Sequence, residues 1–186
     1  MKIVILGYSG LIGKNILENL SKKTSFNFIC VARNIKKKPY RNSRINYLKW
    51  DFETFKKKNL LFLKEADIII NCVGKIDNKD SNLRSINVIF IKKLIKYIIN
   101  NKLKVRLIHL SSVAVYGGAQ NYLGQKKLIF ENSVNKINDL YSKTKLDGDL
   151  LIKKYLNKNF SYTILRISNV FGGKEKTNLY RFLMFS

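Results

Sequence analysis

The sequence predicts an α/β fold built on a doubly wound parallel sheet, and three observations support this. Short apolar runs alternate with longer segments in which apolar residues recur every three or four positions, as strands alternate with helices. The first of them, Ile3–Leu6, is apolar throughout, as in a strand buried on both faces. The first run, Ile3–Leu6, is followed at once by Gly7 and a helical pattern. The 186 residues, 46% of them hydrophobic, suffice for one domain with a sizeable core.

Six strands and at least three helices are expected in alternation. The strands are Ile3–Leu6, Phe26–Ala32, Ile45–Leu48, Asp67–Val73, Val105–Leu110 and Ser161–Ile167. The helical patterns cover Gly10–Lys23, Leu83–Asn100 and Asp139–Tyr155, and the apolar residues between Trp50 and Glu65 suit a further covering helix. In the usual strand order the first strand separates the second from the fourth, so Cys30 and Cys72 should not lie on adjacent strands.

Three glycines separate the first strand from the first helix at the spacing Gly-x-x-Gly-x-x-Gly. In a dinucleotide-binding unit, Gly7 allows the tight turn, Gly10 lets the backbone approach a pyrophosphate, and Gly13 lets the helix pack closely on the strand. The helix N-terminus adds unpaired N–H groups and a positive dipole end. Glycines also end strands for structural reasons alone, but their place at a strand–helix turn favours cofactor binding.

Arg33 follows the second predicted strand, where such folds meet the adenosine ribose. An acid at this place accepts a hydrogen bond from the 2′-hydroxyl of NAD, whereas an arginine suits the 2′-phosphate of NADP. Arg33 therefore favours NADP over NAD. The alternative is that it is one more basic residue in a basic protein.

The net charge of +24 raises the question of nucleic-acid binding. The lysines are spread over helix faces and loops and are not interleaved with aromatic residues, as a base-stacking platform requires. Lys, Asn and Ile are abundant together, which indicates a coding bias. We therefore expect no specific nucleic-acid partner, although the charge helps to attract anionic substrates.

Membrane, disulfide and metal functions are not predicted. The apolar runs are too short to span a bilayer, and no leader pattern follows Met1. The apolar face of Leu83–Asn100 could lie on a membrane surface, but packing against the sheet is the simpler explanation and is favoured. Two cysteines indicate a reducing compartment, so we expect a cytoplasmic protein. The lone His109, inside a strand, is expected in the core and not at a metal site.

Tyr141 and Lys145 lie four residues apart in a predicted helix, and hence on one face. An unperturbed tyrosine has a pKa of about 10 and is a poor base at neutral pH. A nearby ammonium and a positively charged nicotinamide favour the phenolate and bring this pKa down. Ser112 follows the fifth strand, at the sheet edge where ligands bind. Tyr-x-x-x-Lys also arises by chance in lysine-rich helices, so the prediction depends on the combination with Ser112 and the glycine turn.

Taken together, these motifs resemble an extended short-chain dehydrogenase/reductase of the nucleotide-sugar epimerase/dehydratase group. The matching pieces follow the family order and cover nearly the whole chain: GYSGLIG (7–13), WDF (50–52), INCVG (70–74), Asn87, LSSVAVYG (110–117), YSKTK (141–145) and LRISNVFGG (165–173). The resemblance implies a Rossmann-type NAD(P)-binding domain over residues 1–173. Residues 174–186 would begin a substrate-binding segment.

The resemblance also implies residue roles. Tyr141 would be the catalytic acid/base, Lys145 would hold the nicotinamide ribose and lower the tyrosine pKa, and Ser112 would position the substrate oxygen. The remaining roles concern the cofactor and substrate clefts: Gly7, Gly10, Leu11, Ile12 and Gly13 at the pyrophosphate, Asp51 and Phe52 at the adenine, Gly74 and Asn87 along the cleft, and Ser168–Val170 near the nicotinamide and substrate.

Two departures from the family pattern refine the expected reaction. Dehydratases of this group place an acid after the Ser or Thr, and Val113-Ala114 stands there instead, so epimerisation or ketone reduction is favoured over dehydration. The chain is also shorter than family members, whose C-terminal segment supplies most of the sugar-nucleotide pocket. A catalytically incomplete NAD(P)-binding fragment or regulatory module is therefore the alternative. The sequence leaves open whether the protein forms a homodimer.

Overall fold

The computed structural model shows six parallel strands flanked by helices, as predicted. It describes residues 1–35, 40, 42–55, 60–77, 81–117, 128–133, 137–155, 160–168 and 170. The strands are β1 (Lys2–Leu6), β2 (Asn27–Ala32), β3 (Ile45–Lys49), β4 (Ile68–Asn71), β5 (Arg106–Ser112) and β6 (Tyr162–Ile167). The helices are α1 (Leu11–Lys23), α2 (Leu61–Lys64), α3 (Phe90–Asn100) and α4 (Leu140–Tyr155).

The strand order is β3-β2-β1-β4-β5-β6, and every pairing is parallel. The order reverses at β1, so the carboxyl ends of β1, β2 and β4 open onto one crevice, where such sheets bind ligands. As predicted, β1 separates β2 from β4, and Cys30 and Cys72 are both free thiols.

The core consists of two apolar layers on opposite faces of the sheet. Alternate residues of β1 supply them: Ile3 and Ile5 belong to the layer that contains Leu17 of α1, and Val4 and Leu6 to the other. Successive side chains of a strand point to opposite faces, so a strand buried on both sides needs a continuous apolar run. This confirms that the first apolar run, Ile3–Leu6, is an interior strand buried on both faces.

Helix α3 lies against the second layer, with Phe90, Ile91, Leu94, Ile95 and Ile98 buried. Its apolar face is therefore a core face, as the sequence favoured over a membrane surface. Within the described residues, no helix combines the length and apolarity that crossing a membrane requires.

The structure differs from the predicted elements at three places. The covering helix before β4 is described only as the single turn α2. The long helix of residues 83–100 begins with a π-helical segment, Ser85–Ile89, before α3. Strand β5 continues to Ser112 because it pairs with β6 up to Ile167, and a 3₁₀ turn, Val113–Tyr116, follows it.

Candidate active site and cofactor cleft

Gly7 forms the turn between β1 and α1 with a φ of 80°, in the left-handed region that favours glycine. Its N–H donates to the Val31 carbonyl at 2.8 Å, and its own carbonyl accepts from Gly10 N at 3.1 Å. A Cβ on Gly7 would lie 3.1 Å from the backbone of Cys72 and Val73. The turn is therefore held between the ends of β2 and β4, and only glycine fits it without strain.

Gly10 is the N-cap of α1, and no side chain caps this helix end or places an acid in its first turn. The first N–H groups of a helix have no intrahelical partner, and Leu11, Ile12 and Gly13 supply them here. A Cβ on Gly10 would meet only the Gly7 carbonyl oxygen, at 3.5 Å, so the backbone faces open space. Exposed N–H groups beside a bare backbone fit a pyrophosphate.

A cavity joins this turn to the ends of β2 and β4. It is lined by Gly7, Ser9, Gly10, Arg33, Asn34, Phe52, Cys72, Val73, Gly74, Lys75 and Ile86. Five of the residues predicted for the cofactor, Gly7, Gly10, Arg33, Phe52 and Gly74, are among them. Asp51 is exposed beside Phe52, and its Oδ1 accepts a hydrogen bond from Glu53 N at 3.0 Å.

Arg33 differs from its expected role as a freely available cation. Its Nη1 lies 3.4 Å from Glu53 Oε1, in an ion pair whose arginine side chain is 54% exposed. The same carboxylate oxygen lies 4.0 Å from Lys75 Nζ. Sequence reasoning missed Glu53 and Lys75 because neither belongs to a recognisable motif.

The structure brings Ser112, Tyr141 and Lys145 together at the carboxyl end of β5. Ser112 ends the strand and hydrogen-bonds the Tyr141 hydroxyl. Lys145 Nζ donates to the Leu110 carbonyl at 2.7 Å and lies 3.8 Å from where a Cβ on Gly74 would stand. The Ser112–Tyr141 pair thus adjoins the cleft at Gly74, with the buried Lys145 ammonium between them.

Helix α4 presents this group because Asp139 fixes its start. Asp139 Oδ1 accepts a hydrogen bond from Ser142 N at 2.8 Å, and Oδ2 accepts one from the Ser142 hydroxyl. A side-chain acceptor of this kind satisfies a free N–H of the first turn. Tyr141 therefore lies in a capped first turn, and Lys145 lies one turn further into the core.

The electrostatics differ from the sequence prediction. Burial raises the pKa of Tyr141, the hydrogen bond from Ser112 lowers it, and the charge of Asp139 raises it. Lys145 Nζ donates to the Leu110 carbonyl at 2.7 Å. Burial lowers the pKa of Lys145 itself to about 8, against the opposing effects of Asp149 and Cys72. In this state the tyrosine is a proton donor.

Asn87 connects the cofactor cleft to α4. Its Oδ1 accepts from Lys75 N at 2.9 Å, and its Nδ2 donates to the Lys75 carbonyl at 3.0 Å and to Thr144 Oγ1 at 3.1 Å. These three bonds fix the loop after β4 next to the helix that carries Tyr141. Asn87 thus lies near the cleft, as predicted, and its side chain holds the loop after β4 against α4 by hydrogen bonding.

A buried ion pair that sequence reasoning missed lies behind Lys145. Asp149 is fully buried, and its Oδ2 accepts from Arg166 Nε at 3.1 Å. Arg166 Nη1 donates to the Tyr116 hydroxyl at 2.6 Å, and its guanidinium lies 4.8 Å from the centroid of that ring. The pair joins α4 and β6 to the 3₁₀ turn after Ser112. The spacing of Lys145 and Asp149 placed both on one helix face, but nothing in the sequence indicated Arg166 as the partner.

His109 is a buried core residue, as predicted. Asn71 Oδ1 accepts from Val73 N at 3.1 Å, so its Nδ2 is the donor to His109 Nδ1 at 3.0 Å. The remaining proton of a neutral imidazole then lies on Nε2. Burial and the charge of Lys145 hold the pKa of His109 well below its usual value, so the ring is neutral.

Some predicted positions are described only in part. Ser168 is exposed after β6, whereas Asn169 and residues 171–186 lie outside the described residues. No group of three or more His, Cys, Asp or Glu side chains in the described ranges is placed to hold a metal ion.

Solved structures share this architecture at low sequence identity. UDP-glucuronic acid 4-epimerase from Bacillus cereus, in complex with NAD, matches with a TM-score of 0.80 and 22% identity over 97% of this chain and 61% of that one. WbmH from Bordetella bronchiseptica, in complex with NAD⁺, matches with a TM-score of 0.77 and 16% identity over 98% of this chain and 61% of that one. A UDP-galactose 4-epimerase matches with a TM-score of 0.76 and 17% identity over 100% of this chain and 62% of that one. The chain spans about three fifths of their length.

Comparison at the sequence level gives two results. Among curated proteins, no sequence matches the chain. The profile of the NAD dependent epimerase/dehydratase family matches residues 3–183, nearly the whole chain. The glycine turn, the cleft and the Ser–Tyr–Lys group lie within that match, and the protein therefore belongs to the NAD-dependent epimerase/dehydratase family.

Proposed function

We propose that this chain is the cofactor-binding and acid/base portion of an NAD(P)-dependent enzyme that acts on a nucleotide-activated sugar. The observation that carries the proposal is the grouping of Ser112, Tyr141 and Lys145 at the carboxyl end of β5, beside a cleft that begins at a glycine turn. The solved structures of similar fold support it, since several are described with NAD and UDP-sugars.

The described residues suit the cofactor. The open backbone at Gly10 and the free N–H groups of α1 would hold the pyrophosphate, and Gly74 leaves room next to Lys145 Nζ for a ribose. A bound nicotinamide would supply the acceptor and donor of hydride. Lys145, already buried and donating to Leu110, would orient the ribose hydroxyls by hydrogen bonding.

Tyr141 would move the proton. With its pKa raised by burial, the hydroxyl donates a proton to a sugar carbonyl oxygen, and the phenolate takes one from a sugar hydroxyl in the reverse direction. Ser112, hydrogen-bonded to Tyr141, would hold that oxygen. Val113 and Ala114 provide no acid for water elimination, which favours epimerisation or ketone reduction.

The test compares Tyr141→Phe with Tyr155→Phe, which removes a hydroxyl from the far end of the same helix. We expect Tyr141→Phe to abolish turnover of UDP-glucuronic acid or UDP-galactose by the whole protein while NADH binding is retained. Tyr155→Phe should behave as the wild type. Turnover by Tyr141→Phe within a few fold of wild type would contradict the role of Tyr141.

Cofactor choice is a separate part of the proposal. Arg33 at the end of β2 favours NADPH over NADH, whereas the solved structures of similar fold are described with NAD. Arg33→Ala should weaken NADPH binding and leave NADH binding nearly unchanged, as measured by calorimetric titration of each. Equal effects on both cofactors would refute the preference.

A second candidate is an NAD(P)-binding module without catalysis. The observation in its favour is length, because the chain spans only 61% of the UDP-glucuronic acid 4-epimerase structure. We propose that residues 1–173 form the cofactor domain and that 174–186 begin a substrate segment. Tight NAD(P)H binding with no turnover of any nucleotide sugar would favour this candidate.

A further inference from the structure

Glu53 places a carboxylate between two cations of the cofactor cavity. Its Oε1 lies 3.4 Å from Arg33 Nη1 and 4.0 Å from Lys75 Nζ. Arg33 and Lys75 both line the cavity that begins at the glycine turn. Glu53 is not itself a lining residue, so its carboxylate acts on this end of the cavity through the two cations.

The backbone of Glu53 is fixed independently of these ion pairs. Its N–H donates to Asp51 Oδ1 at 3.0 Å, and its carbonyl accepts from Lys93 Nζ at 3.4 Å. The preceding residue, Phe52, is buried against Trp50 and Phe90 in the aromatic part of the core. The acid therefore stays near the cavity whether or not Arg33 is bound to something else.

The strand pairing explains how an acid from another strand reaches this place. Strand β3 pairs with β2 in parallel, with Ala32 opposite Lys49. Residues that follow the two strands therefore emerge at the same sheet edge, Arg33 from β2 and Glu53 from the turn after β3. The acid that usually ends the second strand of a dinucleotide fold is thus replaced by one that comes from the neighbouring strand.

We propose that Glu53 is the specificity-determining residue that opposes 2′-phosphate binding at this end of the cleft and thereby limits the preference for NADP that Arg33 confers. The inference rests on the proposed function. A carboxylate accepts a hydrogen bond from a 2′-hydroxyl but repels a 2′-phosphate, and here it also occupies the guanidinium that the phosphate would need.

The experiment measures NADPH and NADH affinity for wild type, Glu53→Gln and the control Glu65→Gln. Glu65 pairs with Lys2 at 2.6 Å on the surface. Glu65→Gln therefore also breaks one ion pair, and it changes the net charge by the same amount as Glu53→Gln. Loss of one close charge interaction predicts that Glu53→Gln raises NADPH affinity relative to NADH by about tenfold, with the gain shrinking at high salt. Glu65→Gln should leave the ratio unchanged.

The double variant Arg33→Ala/Glu53→Gln completes a cycle. If Glu53 acts by occupying Arg33, most of the gain in the NADPH-to-NADH ratio disappears when the arginine is absent. An affinity ratio unchanged by Glu53→Gln, or changed equally by Glu65→Gln, overturns the inference while the proposed function stands. Failure of the wild type to bind either cofactor overturns both.

Discussion

Replacing Gly13 by alanine should destabilise the fold, although alanine is the better helix former. The added Cβ would lie 2.5 Å from the Gly7 carbonyl oxygen, 2.8 Å from Tyr8 Cα and 3.0 Å from the Gly7 carbonyl carbon. All three atoms belong to the backbone, so no side chain can rotate away. Helix α1 must instead move off β1, which loosens the packing of Leu17 in the layer below it.

The two opposing effects can be compared. Alanine gains about 1 kcal/mol over glycine inside a helix, whereas an overpacked contact costs about 1–3 kcal/mol and occasionally more. Because the closest contact falls well inside normal van der Waals distance, we take the upper part of that range and expect a net loss of about 1–2 kcal/mol. For a domain of this size the melting temperature then falls by roughly 3–8 °C.

Gly10→Ala is the matched control, since its Cβ would meet only the Gly7 carbonyl oxygen at an ordinary 3.5 Å. Alanine is a poorer N-cap than glycine, so a loss below about 1 kcal/mol is expected. Urea unfolding should therefore separate the two variants, while NADH titration should show weaker binding by Gly10→Ala, whose methyl group enters the phosphate site. A Gly13→Ala protein as stable as the wild type would refute the packing argument.

Two further predictions concern the buried charges. Asp149→Ala removes the buried carboxylate that Arg166 donates to, while Arg166 keeps its hydrogen bonds to Tyr116 and Glu131, and should cost about 1.5–3 kcal/mol in urea unfolding. Asp147→Ala, which breaks an exposed pair, should cost less than about 1 kcal/mol; equal losses would refute the assignment. Because burial lowers the pKa of Lys145 in the folded protein to about 8, against an ordinary value of 10.5, the unfolded chain binds one more proton than the folded chain between these pH values. The free-energy cost of burying the ammonium is thus fully present below pH 8 and is relieved as the pH rises from 8 towards 10.5. Over this range the free energy of unfolding of the wild type should rise by up to about 3 kcal/mol relative to that of Lys145→Met. Lys153→Met is the control and should follow the wild-type curve. A wild-type curve parallel to that of Lys145→Met would contradict this titration.

The fold could be predicted because its signals are local. Each interior strand is an apolar run closed by a polar residue or glycine, and the glycine turn marks the reversal of strand order at β1. The π-helical segment Ser85–Ile89 was not predicted, because its apolar pattern matches that of an ordinary helix. Its Asn87 side chain bonds both backbone groups of Lys75, and such a contact between distant segments leaves no periodic trace in the sequence.

In the candidate site, too, local spacing could be predicted from the sequence, whereas contacts between distant segments could not. Tyr141 and Lys145 lie on one helix face, and a four-residue spacing is enough to place them there. The partners that modify the site come from other elements: Glu53 reaches Arg33 through the β2–β3 pairing, and Arg166 reaches Asp149 from β6. Sequence motifs therefore predicted which side chains come together, while strand register decides which charges surround them.

The pKa of Tyr141 depends on its surroundings in the folded protein, which the Tyr-x-x-x-Lys motif alone does not describe. The spacing to Lys145 suggested that the ammonium lowers the tyrosine pKa. In the structure, however, the ammonium donates to Leu110, and burial raises the pKa of the hydroxyl. A buried neutral phenol hydrogen-bonded to Ser112 is arranged to give a proton, which is the role that carbonyl reduction requires. Under the proposed function, the positive charge of a bound nicotinamide would favour the phenolate and thereby the change of Tyr141 from acid to base.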